Sequence, residues 1–324
     1  MTDQPELSVV VPVFNEEVNI LPMHERLVAA LADRVSGLEV LYVDDGSADS
    51  SWEKIGELAT RDQRVRGIRF ARNFGHQAAL TAGVDGARGR AVVIIDGDMQ
   101  DPPEVIPEMV DRWRDGFEVV YGQRENREGE TWFKLVTASA FYRILRGITH
   151  VDIPVDTGDF RLMGPRAVAA FRAMPERNRF IRGLVSWIGF PQTAVKYQRQ
   201  ARQAGETKFP VRKMTRFALD GITSFSFFPL RLATWIGFAV SIFAFLYIVV
   251  VLILKAMGVS WLGYTSLMAS ILFLGGVQLL MIGIMGEYLA RIFDEVKRRP
   301  LYLVAQRTDG LENVTPPRRP ADRG

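Results

Sequence analysis

The chain has 324 residues, no cysteine, three histidines and a formal net charge of +3. The length suggests two domains, or one domain and an appendage. Disulfide and thiolate chemistry are excluded, and His24, His76 and His150 are too few for a histidine-built metal site. The lack of cysteine fits a cytosolic face. Hydrophobic residues make up 48% of the chain but concentrate after position 230.

Met1 to Glu6 is polar, and the apolar run behind it, Leu7 to Phe14, is too short for a signal peptide. That run reads as a first buried strand, with Asn15-Glu16-Glu17 at its end. Helical spacing follows over about 18–34 (Ile20, Leu21, Leu27, Val28, Leu31). Leu38 to Val43 is a second strand ending in Asp44-Asp45-Gly46-Ser47, with a helix from about Ser50 to Arg61. Val65 to Phe70 is a third, followed by Arg72-Asn73-Phe74-Gly75 and a helix from His76. Ala91 to Ile95 is a fourth, stopped by Asp96-Gly97-Asp98 and then Pro102-Pro103. Val119 to Gly122 is a fifth. Strand–helix alternation predicts a parallel sheet with helices on both faces.

Acidic residues fall just past strand ends three times: Glu16, Asp45, and Asp96 with Asp98. Open α/β sheets carry their ligand crevice at that edge. Asp96 and Asp98 offer oxygen ligands suited to Mg²⁺ or Mn²⁺, which share their shell with substrate phosphates. The same residues could instead cap a helix start. Asp45 is placed to accept hydrogen bonds from a base or ribose, or is only part of a polar turn. No G-x-G-x-x-G follows the first strand, and no G-x-x-x-x-G-K-S/T occurs. A nucleotide here would be held by carboxylates and a metal.

The stretch near 131–148 interleaves Trp132, Phe133, Phe141 and Tyr142 with Lys134, Arg143 and Arg146. It reads as an amphipathic helix, on a membrane surface or in the core. Asp156 to Met163 brings a possible third carboxylate, Asp159, or begins a capped helix. From Lys196 to Arg216 the chain is basic, including Arg202-Gln203-Ala204-Gly205-Glu206-Thr207-Lys208. This stretch fits a phosphate clamp or a belt drawn to anionic lipid. About 232–254 and 262–286 are each long and apolar enough to span a bilayer. Only Lys255 is charged in the link between them, whereas Arg231, Arg291, Lys297, Arg298 and Arg299 flank the pair. The positive-inside rule puts both termini in the cytoplasm. The organisation expected is a catalytic domain over 1–209, an amphipathic segment over 210–230, a transmembrane hairpin over 231–286, and a basic helix and tail over 287–324. From about Thr308 the composition predicts disorder.

V-V-V-P-V-F-N-E-E, V-D-D-G-S-A-D, R-N-F-G-H-Q-A-A-L, I-D-G-D-M-Q-D-P-P-E, D-T-G-D-F-R-L-M and G-E-Y-L-A-R-I-F-D-E-V-K-R-R-P together resemble the glycosyltransferase family two enzymes that charge polyprenyl phosphate. The nearest type is the GtrB-like bactoprenol glucosyltransferases, related to dolichyl-phosphate mannose synthases and ArnC. The resemblance runs to about position 305. It implies a GT-A fold (a Rossmann-like, mainly parallel sheet), a nucleotide-sugar donor, a divalent metal, inversion at the anomeric carbon and a tetramer. It implies that Pro12, Phe14, Glu16, Asp45 and Asp96 bind nucleotide. Asp98, Asp96 and Gln100 would hold Mg²⁺ or Mn²⁺, Asp159 and Asp98 would be catalytic, and Arg124, Arg202 and Lys208 would contact phosphates. Thr207 stands where serine is expected and keeps the hydroxyl.

The function expected is transfer of one sugar, with UDP-glucose as the first-choice donor, to undecaprenyl phosphate on the cytoplasmic face of the bacterial inner membrane. GDP-mannose or another UDP-sugar is the alternative donor. A polysaccharide synthase and a non-catalytic membrane nucleotide-binding partner are the alternatives of other classes. The Q-x-x-R-W motif of processive synthases is absent. Nucleic acid is not an expected partner.

Overall fold

The computed structural model describes residues 4–125, 157–198, 228–258 and 263–310. The helix expected near 131–148, the Arg202 to Lys208 motif and most of segment 210–230 lie outside these residues. The described residues form two compact units: 4–125 with 157–198 and 299–310, and 228–298.

In the first unit, β1 (Leu7–Val13) and β2 (Leu38–Asp44) are buried along their whole length. β-Branched runs of this kind suit a strand covered on both faces. Between them, α1 (Ile20–Leu31) buries Ile20, Met23, His24, Leu27 and Leu31, one helical stripe. α2 (Ser51–Arg61) leads to β3 (Val65–Phe70). Next, α3 (His76–Gly86) buries its small residues Ala79, Ala82 and Gly83 and leads to β4 (Ala91–Ile94). Pro102 and Pro103 end the loop after β4, and a short 3₁₀ turn enters α4 (Ile106–Arg114) and then β5 (Val119–Arg124). β6 (Thr157–Met163), α5 (Pro165–Ala173), α6 (Ile181–Trp187) and β7 (Gln192–Tyr197) follow. β8 (Val304–Arg307) closes the unit.

The eight strands lie in the order β7-β5-β6-β4-β1-β2-β3-β8. β1 pairs in parallel with β2 and β4, β2 with β3, and β5 with β7. β6 is antiparallel to both β4 and β5, and β8 to β3. The sheet is thus mainly parallel with two reversed strands. Strand order turns at β1, which has β2 on one side and β4 on the other. That switch point opens a crevice at the carboxyl ends of the parallel strands. Because β6 runs the opposite way, its amino-terminal end, Thr157 to Asp159, reaches the same edge.

Of the two readings of Asp159, the capped helix start is excluded and the third carboxylate stands: it lies in a fully buried strand whose start reaches the crevice edge. Arg161 interrupts the apolar pattern there, and its guanidinium is satisfied by the Gly158 and Asp159 carbonyls (2.9 and 3.3 Å). One expectation is corrected: Thr308 and Asp309 are not a disordered tail. Thr308 exchanges hydrogen bonds with Gly67 (3.1 and 2.8 Å), and Asp309 pairs with Arg66 at 2.8 Å. The block expected over 287–324 therefore divides, its strand joining the sheet.

In the second unit, α7 (Phe228–Ala256) and α8 (Tyr264–Lys297) have apolar stretches of mean hydropathy 2.9 and 2.2, with no part of them buried. A helix apolar on all sides and uncovered by protein suits hydrocarbon surroundings. α8 continues past the expected span and ends in Glu287, Arg291, Asp294, Glu295 and Lys297.

Candidate active site

Three loops meet at the crevice. After β1, Asn15 takes a left-handed conformation (φ 55°). Its N–H donates to Ser47 Oγ at 2.9 Å, and its side-chain oxygen accepts from the Ala48 N–H at 2.9 Å. The loops after β1 and β2 are thereby stitched together. Glu16 accepts from Asn19 Nδ2 at 2.5 Å, and Phe14 is exposed.

After β2, Asp45 is buried, and its two oxygens accept the N–H groups of Phe74 and Gly75 at 2.7 and 2.9 Å. Burial raises its pKa despite these amides. A carboxylate has about four lone-pair positions, so the pairing leaves room for a ligand. Gly46 (φ 72°) is needed twice over: its conformation favours glycine, and an added Cβ would lie 2.6 Å from the Arg72 carbonyl carbon.

After β4, the Asp98 carboxylate accepts the Gln100 N–H at 3.2 Å. Met99 is held at φ 62°. Strain of this kind in a non-glycine residue persists where the surroundings impose it. A Cβ on Gly97 would stand 2.9 Å from the Pro12 carbonyl oxygen, so this loop lies directly against β1.

The loops converge on a charged cluster. His76 Nε2 lies 3.3 Å from Asp159 Oδ2 and 3.5 Å from Asp96 Oδ1. Arg182, from α6, grips Asp159 with two hydrogen bonds, Nε to Oδ1 at 2.9 Å and Nη2 to Oδ2 at 3.2 Å. Burial alone would raise the Asp159 pKa. The charge of Arg182, the hydrogen bonds from His76 and Arg182, and the charge of Arg161 together hold it far below the usual carboxylate range. Burial pushes Arg161 down to about 10. Burial also lowers His76, but its hydrogen bond to Asp159 and the charges of Asp96 and Asp159 raise it overall.

Asp96 differs. Burial pushes its pKa up to about 6; the charge of His76 opposes this, while Asp159, Asp101 and Asp98 add to it. Its Oδ1 is buried and accepts no hydrogen bond. An orphaned buried oxygen of this kind calls for an explanation such as an ion. Among the described residues, no group of three or more His, Asp or Glu side chains forms a ready metal cage.

Arg124, at the end of β5, donates to Tyr197 Oη at 3.2 Å and lies 3.7 Å from Asp101 Oδ1. Tyr197 in turn donates to Asp101 at 2.5 Å. Beside them opens a polar cavity of about 440 Å³, lined among the described residues by Gln123, Arg124, Glu125 and Lys196.

The expected residues Pro12, Asp45, Asp96, Asp98, Gln100 and Asp159 therefore share one edge. Phe14 and Glu16 stand on the β1 loop beside it, and Arg124 adjoins it through Asp101. Arg202 and Lys208 lie outside the described residues. Sequence reading assigned no role to His76, Arg182, Asp101 or Tyr197. His76 had a signal, at the start of a helix inside a quoted motif. Arg182 had none, being one arginine among several in R-N-R-F-I-R-G.

Residues 8–170 match glycosyl transferase family 2, spanning β1 to within α5. The chain belongs to that family. Residues 228–292 match the GtrB C-terminal hairpin. The family 2 domain is an enzyme domain, so this protein is a glycosyltransferase, and its apolar hairpin makes it membrane-anchored. It is 50% identical over 314 residues to an uncharacterized glycosyltransferase, YkcC, of Bacillus subtilis, with 97% of each chain covered. It is 42% identical to a prophage bactoprenol glucosyl transferase homolog of Escherichia coli K12, covering 92% of this chain and 98% of that one. It is 43% identical, with the same coverage, to a bactoprenol glucosyl transferase of Shigella phage SfV. The family 2 match stops short of Arg182 and Tyr197, which are supplied by the chain beyond it.

Proposed function

We propose that this glycosyltransferase moves one sugar from a nucleotide sugar, UDP-glucose as the first choice, to polyprenyl phosphate at the cytoplasmic face of the bacterial inner membrane. The observation that carries the reading is the electrostatic polarity of the site. A carboxylate pole with a buried oxygen that, among the described residues, accepts no hydrogen bond and has only His76 nearby at 3.5 Å (Asp96, beside Asp98) stands next to a cationic pole (Arg182, His76, Arg161). A diphosphate donor and a phosphate acceptor need such a pair. The names of the bactoprenol relatives support the acceptor, and the hairpin supports its lipid character.

The donor set fits a hard divalent cation, Mg²⁺ or Mn²⁺. Asp98 and Asp96 would hold it, with Gln100 close by, and the scarcity of protein ligands leaves positions for donor phosphates. The chemistry such a cation supplies when bound is charge neutralisation on the leaving diphosphate. Pro12, Phe14, Glu16 and Asp45 would line the nucleotide pocket.

An oxygen of the lipid phosphate attacks the anomeric carbon as the bond to the nucleoside diphosphate breaks, with inversion. A phosphate monoester with a second pKa near 6 is mostly dianionic at pH 7, so the attack needs little help from a base. Asp159 is poorly suited to that role, because both its oxygens are engaged and its pKa is depressed. Its task in this reading is positioning: it aims Arg182 and His76 at the phosphates. Arg124, Lys196 and the Arg202 to Lys208 motif would offset charge on the acceptor side. The flanking arginines and lysines support cytoplasmic termini, and the family resemblance supports a homotetramer.

The test is a panel of labelled sugar nucleotides given to membranes containing the protein and polyprenyl phosphate, with and without EDTA. One UDP-sugar should yield a single lipid-linked sugar, and EDTA should abolish transfer. A polymeric product, or transfer untouched by EDTA, would overturn the reading.

A further inference from the structure

The strand β8 follows α8 closely in sequence but belongs to the sheet unit. It covers the edge of β3, where an unpaired strand would invite association with another chain. Edge protection needs only a ladder of backbone hydrogen bonds. The segment does more than that, and one group of its additional contacts lies at the carboxyl end of β3.

Tyr302 is buried and stacks on Phe70, with ring centroids 5.0 Å apart and planes at 14°. Its hydroxyl donates to Asp85 Oδ2 at 3.3 Å. Phe70 meets Phe74 edge-on at 5.7 Å. The Ala71 N–H donates to the Leu303 carbonyl at 2.9 Å. The β3–β8 register shifts between Arg69 and Phe70, where the chain leaves the sheet for loop 71–75.

That loop is gripped from its other side by the donor-pocket residues. Asp45 accepts the Phe74 and Gly75 amides, and Gly46 packs against the Arg72–Asn73 backbone. The next two residues reach the charged cluster: His76 lies between Asp96 and Asp159, and Gln77 accepts the Ile181 N–H at 3.0 Å, one residue before Arg182. Loop 71–75 is therefore clamped between the C-terminal segment and Asp45, and the helix that carries His76 and Gln77 starts at its end.

We propose that residues 299–309 are a positioning strap for the nucleotide-sugar pocket, with Tyr302 as the residue that seats loop 71–75 against Asp45. Rigid support ahead of binding saves the ordering cost that a loose loop would impose on the ligand. The strap has a second fastening, the Asp309 ion pairs with Arg66 and Arg88 and the Thr308–Gly67 bonds, at the far end of β3. That fastening holds the strap down without touching the loop. The inference rests on the donor-pocket reading given above.

The test uses the full chain in detergent or nanodiscs, with UDP and Mn²⁺ as the binding probe and UDP-glucose as the substrate. Tyr302→Ala should weaken UDP binding about tenfold. It should raise the UDP-glucose KM similarly, leave kcat within about twofold, and cost hydrogen-exchange protection at the Phe74 and Gly75 amides. Tyr302→Phe should restore all three. Asp309→Asn should lower Tm by a few degrees and leave the UDP affinity unchanged. Should Tyr302→Ala fail to accumulate, Tyr302→Leu keeps apolar bulk without the ring stack, and a several-fold loss of UDP affinity is expected from it. Unchanged UDP affinity in the folded Tyr302 variant, whatever its Tm, would overturn the strap as a positioning element while leaving the pocket reading intact. Failure of the unsubstituted chain to bind UDP, GDP, CDP or ADP would overturn the pocket reading, and the strap proposal with it.

Discussion

The end of β4 and the start of β6 each carry one aspartate within 3.5 Å of the same imidazole, yet their surroundings are opposite. Asp96 stands among further acids, Asp98 and Asp101, and keeps a buried oxygen without a donor. Asp159 is met by Arg182 and Arg161 as well as His76, and it is held ionised far below the normal range. One carboxylate is short of positive charge and the other has it in full. In the reading proposed above, the first point would take a cation and the second would gather anions. The contrast then separates two roles that sequence alone leaves merged: a ligand would be a carboxylate with coordination to spare, and a positioning residue one with none.

Substitutions at the short side of this contrast should act most strongly. Asp98→Asn and Asp96→Asn should each lower kcat/KM for sugar transfer by a factor on the order of 10³, as loss of a group stabilising charge at a leaving group does. Asp96→Asn should at the same time raise the metal-free Tm. It removes a partly buried charge whose pKa is pushed up to about 6, a burden on the order of 1–3 kcal/mol and toward the lower end because the side chain is 28% exposed. Activity assays and calorimetry on the same preparation read both effects. A fall in Tm would mean that Asp96 is structural and already satisfied.

On the compensated side, Arg182→Ala leaves Asp159 buried with much of its partner charge gone. A destabilisation of about 2–3 kcal/mol is expected, at the lower end for a buried pair because Arg182 is partly exposed. Activity should fall about 10²-fold. The double variant Arg182→Ala with Asp159→Asn should be more stable than Arg182→Ala alone, since the stranded charge is gone. Asp159→Asn alone should lower kcat and keep the shape of the pH–rate profile. Disappearance of an acidic limb from that profile would instead make Asp159 a general base.

The same contrast marks how far the sequence was legible. The Asp96 side is written contiguously: an apolar β-branched run, then D-G-D, then prolines. The strand and its acidic end can be read within fourteen residues, as can D-D-G-S after β2. The two spans were readable because bilayer thickness sets a length that soluble helices seldom reach. The Asp159 side is assembled from a distance. Its cations come from α3 and α6, and its strand reads poorly because a polar start and a buried arginine break the apolar pattern. Arg161 is held there by two carbonyls of its own strand and by the charge of Asp159, which no local periodicity reveals. The strand β8 was missed for a simpler reason: four residues, V-A-Q-R, carry too little pattern to compete with the charged helix end before them.

The smallest effect expected is also the most direct reading of Asp96. Its folded pKa of about 6 lies above the ordinary 3.8, so between those values the folded chain holds a proton that the unfolded chain has released. Metal-free stability from this group therefore falls as pH rises through that window and levels off above about 6. Asp159 and His76 act in overlapping ranges. The depressed Asp159 loses its contribution as pH falls, and the raised His76 loses its contribution as pH climbs. The measurement must therefore be a difference: the Tm of Asp96→Asn minus that of the unsubstituted chain, without metal. It should be several degrees at pH 7.5 and shrink toward zero near pH 4. Added Mn²⁺ should erase the difference at pH 7.5 by stabilising only the chain that keeps its carboxylate, and should do little at pH 5, where Asp96 is mostly protonated. A Mn²⁺ shift equally large at pH 5 and 7.5, or equally large in Asp96→Asn, would move the cation to ligands other than Asp96.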